Sequence, residues 1–156
     1  MSNIMTIAGI SSRVQTLLTN MKNASNTGLF VTVQPSPEAD DQKFAGYPSA
    51  THFYLNTEND FATVSQNRRV YEYHVFFYVL SPDETESQLW TRACNIMDAL
   101  VAMFDKTQDL SDASLNLTPG CDILRPAPGS IVKTGTPNGE GLVGEITLFC
   151  TTDVAF

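Results

Sequence analysis

Histidine, cysteine and cationic side chains are all scarce in this chain: two His, three Cys and nine Lys+Arg among 156 residues. Cys94, Cys121 and Cys150 are too few and too widely spaced for a disulfide framework or a zinc knuckle, and they read as buried free thiols. His52 and His74 have no His or Cys ligand partner at helical or hairpin spacing. No Ser lies in a Gly-x-Ser-x-Gly elbow, so a hydrolytic triad lacks its parts. Nine cations against 17 Asp+Glu leave a formal net charge of -8, and such a body repels phosphate backbones. No uninterrupted apolar run exceeds six residues, Val75–Leu80 being one. That is far short of the roughly 20 that span a bilayer. The N-terminal residues lack the basic, apolar and small-residue pattern of a signal peptide. The length and a hydrophobic share of 42% suit one globular domain over 1–156. The expectation is a soluble intracellular domain that is not an enzyme and holds no metal or cofactor.

One motif matches by its letters. Gly139-Glu140-Gly141-Leu142-Val143-Gly144 reads G-x-G-x-x-G, the dinucleotide fingerprint, which works only where a strand hands over to a helix. The following Glu145-Ile146-Thr147-Leu148-Phe149-Cys150 alternates like a strand, so these glycines are expected at turn and bulge positions.

Ile7, Ile10, Val14, Leu17, Leu18 and Met21 follow a 3.6-residue period, which predicts an amphipathic helix over 7–21, with Ser11, Ser12, Gln15 and Thr19 outside its apolar stripe. A short strand, Leu29–Val33, is stopped by Pro35 and Pro37. Residues 34–48 then form a polar connection in which Phe44 and Tyr47 have no periodic partner. These two aromatics either pack back on the core or meet a partner chain. Ser49–Thr57 alternates, and Arg68-Arg69 opens the strongest strand. Its odd positions from Tyr71 to Val79 are all apolar, whereas its even face starts polar and turns apolar at Phe76, Tyr78 and Leu80. This pattern predicts a central strand covered at its far end by a helix. Ser81-Pro82-Asp83-Glu84 reads as a capping box for a helix over 82–105, with the stripe Leu89, Ala93, Ile96, Met97, Leu100 and Phe104. Trp90, Val101 and Met103 lie off that stripe and suggest a second neighbour. Cys121–Leu124 reads as a short strand broken by Pro126-Ala127-Pro128-Gly129, and 131–133 with 142–154 as a hairpin around Pro137-Asn138-Gly139. The expected fold is α+β: an antiparallel or mixed sheet of about five strands, with both helices packed on one face.

This order of elements resembles the tail terminator (tail completion) proteins of long-tailed bacteriophages. The residues that carry the likeness are the helix from Thr6 to Met21, the early strand ending in Gln34-Pro35-Ser36-Pro37, the long strand Arg69–Val79, the helix 82–105 and the closing strand. The resemblance implies a structural virion protein of the tail and neck, assembled in the host cytoplasm. It would close into a ring, most simply a hexamer, that caps the tail tube, stops its polymerisation and offers a surface to the head-completion protein. DNA would pass through without specific binding, and no membrane is involved. Asp40, Asp41, Phe44, Tyr47 and Trp90 are the candidate interface residues. The alternatives are a neck protein that joins head and tail, and a cytosolic module that binds a small ligand between sheet and helices.

Overall fold

The computed structural model describes residues 6–36, 44–63, 66–136 and 139–155, with the backbone alone at 60–63, 66, 136, 154 and 155. Helix α1 (Ile7–Thr19) is followed by strands β1 (Thr32–Pro35), β2 (Ser49–Thr63) and β3 (Gln66–Val79). Helix α2 (Glu86–Lys106), a short 3-10 turn at Ala113–Leu115, and strands β4 (Ile123–Thr136) and β5 (Gly139–Ala155) complete the chain. The five strands form one mixed sheet in the order β1-β2-β3-β5-β4. β1 runs parallel to β2 and every other pair is antiparallel. β3 is the middle strand, as its apolar pattern predicts.

Both helices lie on one face of this sheet and share a single core with it. Ile10, Val14, Leu17 and Leu18 of α1 and Ala93, Ile96, Leu100 and Phe104 of α2 join Tyr73, Val75, Phe77 and Val79 of β3 and Ile146 and Leu148 of β5. Val101 and Met103 also pack against this core. α1 begins at Thr6, whose hydroxyl accepts from the Gly9 amide. α2 begins one turn later than the Ser81 box suggests. Thr85 accepts from Gln88 N at 3.2 Å and the Gln88 side chain accepts from Thr85 N at 2.9 Å, while residues 81–84 form a turn. Thr85-Glu86-Ser87-Gln88 is a second capping box in the same stretch, and its use leaves Glu84 free to pair with Arg92.

Two connections also differ from expectation. β1 begins at Thr32 rather than Leu29 and ends on Pro35, and the predicted break at 126–129 is a continuous edge strand. In β4, Pro126 stands opposite Leu148 and Pro128 opposite Ile146, with a register shift before Ile131. An edge strand has one side without ladder partners, so a missing N–H there costs little. Residues 126–141 are thus mostly strand rather than loop, and Pro137 and Asn138 lie outside the described residues. Gly139 takes a positive φ of 133° at the start of β5, as expected of a turn glycine, whereas Gly141 and Gly144 are packing positions. A Cβ on Gly144 would sit 2.1–2.8 Å from the Phe77 ring, and one on Gly141 2.3 Å from the Val79 carbonyl oxygen. The long connection is instead 107–122. Buried Leu110 anchors it, and the Arg13 guanidinium donates to the carbonyls of Thr118 (2.8 Å) and Pro119 (3.3 Å).

Candidate functional site

Of the three described candidate interface residues, Phe44 and Tyr47 are in ring contact with each other. Asp40 and Asp41 lie outside the described residues. Phe44 is buried, 5.3 Å from the Tyr78 ring and edge-on to Tyr47 at 5.6 Å. The segment 44–48, rather than a helix, therefore covers the far end of the second face of β3. This corrects the sequence expectation for that face and removes Phe44 as an exposed contact. Tyr47 is half-buried, with no hydrogen-bond partner for its hydroxyl among the described residues. Of the described candidates, Trp90 alone is open, at 50% exposure, on the first turns of α2. Leu89, its neighbour in the chain, borders a cleft of about 430 Å³ between the start of α2 and the β4–β5 hairpin, bounded also by Glu86, Lys133 and Glu140. Lys133 Nζ lies 2.5 Å from Glu86 Oε1, and this contact holds the ammonium above its ordinary range.

The second face of the sheet carries an apolar patch that the sequence pattern marked only at Phe76. Phe53, His74 and Phe76 form a triangle of rings with centroids 5.4–5.9 Å apart, all partly exposed, on the face without helices. His74 Nδ1 lies 3.6 Å from Glu145 Oε1 on the neighbouring strand. The signal was available in the switch of the even positions of β3 from Glu72 and His74 to Phe76. It needed the pairing of Phe53 with His74 to become a patch.

The other histidine is structural. His52, fully buried on the helix side, has Nδ1 2.5 Å from the Tyr73 hydroxyl and Nε2 2.6 Å from Gln15 Oε1. The Gln15 amide nitrogen donates to the Val33 carbonyl at 3.0 Å, which fixes its oxygen toward His52. Nε2 therefore carries the proton, and Tyr73 donates to Nδ1. Burial lowers the His52 pKa to about 4 and raises that of Tyr73 to about 12, with Ser11 hydrogen-bonded to the Tyr73 hydroxyl. Ser11 and Gln15, off the apolar stripe of α1, are thus the polar link from helix to sheet. Cys121 and Cys150 are likewise buried and hydrogen-bonded to one another. That contact and the burial keep the Cys150 thiol protonated.

Among the described residues no group of three or more His, Cys, Asp or Glu is placed to hold a metal ion, and no helix is long and apolar enough to cross a membrane. The Gly139–Gly144 motif runs within β5 and opens no helix, so it lacks the amide cluster that holds a pyrophosphate. Among the described residues, apolar groups are open on both sides of the sheet, Trp90 on α2 and the Phe53–His74–Phe76 triangle on the face without helices. Comparison of the chain with protein-family models and with curated proteins finds no match.

Proposed function

We propose that this protein is a non-enzymatic tail terminator, a ring-forming subunit that caps a phage tail tube and presents the opposite surface for joining the head. The observation that carries the reading, beside the order of its elements, is the pair of unlike apolar patches on opposite faces of one sheet. A closed ring repeats a single heterologous interface, so each copy must offer two different surfaces. Trp90 on α2 is one such surface, and the Phe53–His74–Phe76 triangle is another. The net charge of -8 fits a channel that DNA crosses without being held. A neck protein that joins head to tail has the same requirements, and the purified partner separates the two readings.

Trp90→Glu tests the interface. The side chain is half-exposed, so the variant should fold with an unchanged circular dichroism spectrum yet lose self-association at high concentration. Light scattering, alone and with purified tail tubes, gives the decisive readout. A wild-type protein that neither oligomerises nor blocks further growth of tubes would end the tail-terminator reading.

A further inference from the structure

A second groove, of about 520 Å³, lies between the segment that follows α1 and the outer side of α2. Its floor is apolar, with Leu29 and Ile96. Its rim carries Lys22 on one side and Arg92 and Asn95 on the other, and the small Ala99 leaves room for an incoming backbone. Among the described residues no carboxylate lines it, in a chain whose acidic residues outnumber its cations by 17 to nine. The cleft at the start of α2, by contrast, mixes Lys133 with Glu86 and Glu140. Lys22 forms no ion pair or side-chain hydrogen bond with another described residue and is exposed, whereas Glu84 holds Arg92 in place.

We propose that this groove docks an acidic peptide segment of a partner protein. The segment's carboxylates meet Lys22 and the Asn95 side-chain amide, and an apolar side chain seats over Leu29 and Ile96. Charge complementarity argues for the occupant. On an acidic body, a concavity with the exposed Lys22 at its rim and no carboxylate among its described lining residues attracts a negatively charged chain locally, while the surrounding field rejects the dense charge of a nucleic acid. An apolar floor with a charged rim is the usual layout of a peptide groove. The proposal does not depend on ring formation.

The test is a titration of the ¹⁵N-labelled full chain with a blocked amphipathic peptide bearing Glu on one face and Leu on the other, and with its Lys-for-Glu counterpart. The Glu peptide should shift the amides of 22–25 and 92–99 saturably and bind less tightly as salt rises. Lys22→Glu, at an exposed position outside the core, should keep the fold and weaken binding by roughly tenfold, as loss of one charge-assisted contact does. Equal binding of the Lys peptide, no saturable shift below millimolar peptide, or shifts centred on Phe53 and Phe76 would each overturn the proposal. So would the same amides moving with protein concentration alone, which would make the occupant a second copy of this chain.

Discussion

The two faces of the sheet are made from the same strands and serve different ends. On the helix side β3 presents Tyr71, Tyr73, Val75, Phe77 and Val79, all buried; on the other side it presents Glu72, His74 and Phe76, all partly open. Strict alternation gives one strand two independent surfaces. Packing constrains the first, where the Phe77 ring occupies the space that a side chain at Gly144 would need. The second keeps large apolar groups in contact with water, at a cost to solubility that a fold alone does not require.

Breaking the buried face should have the largest effect. Leu100 is fully buried in α2, and Leu100→Ala should lower stability by roughly 2–5 kcal/mol in urea unfolding. A loss below about 0.5 kcal/mol would mean that the helix face is misplaced. Acid should weaken the same face at one point. The folded pKa of His52, about 4, lies below its ordinary 6.5, so between these values the unfolded chain binds more protons. The stability tied to this group is full above pH 6.5 and falls as pH drops toward 4, by about 3 kcal/mol in total. Urea unfolding at a series of pH values should show this slope, and His52→Gln should flatten it; an unchanged slope in the variant would assign the effect to carboxylates. The open face should respond least. Phe76→Ser removes a partly exposed ring and should cost less than about 1 kcal/mol, while reducing any association that sedimentation detects. A large stability loss there would mean that the two faces are not independent.

The sequence made the regular parts of this architecture legible and hid those that depend on neighbours. α1, α2 and β3 each repeat one period over many residues, so their buried sides follow from spacing alone. The start of α2 was ambiguous because Ser81–Glu84 and Thr85–Gln88 both have the composition of a capping box. The structure uses the second box, and Glu84 of the first pairs with Arg92 eight residues on. Pro126 and Pro128 suggested a break because a proline interrupts a central strand, and nothing local shows that β4 is at the edge. The candidate site was less legible still. Trp90 was found because it leaves the stripe, but the fate of Phe44 depended on Tyr78, and the ring triangle on the register of β2 with β3. Ser11 and Gln15 looked like solvent positions until His52 and Tyr73 were brought beneath them.

The prolines in the two outer strands have a consequence for crowding. β1 is four residues long and ends at Pro35; β4 carries Pro126 and Pro128 and is kinked before Ile131. Exposed strand margins are where folded proteins fuse into fibrils, and short, proline-bearing or bent margins resist it. Copies of this chain held at high local concentration are therefore steered away from continuing one another's backbone ladder. Contacts between them are left to side chains, whose chemistry can be matched, saturated and undone.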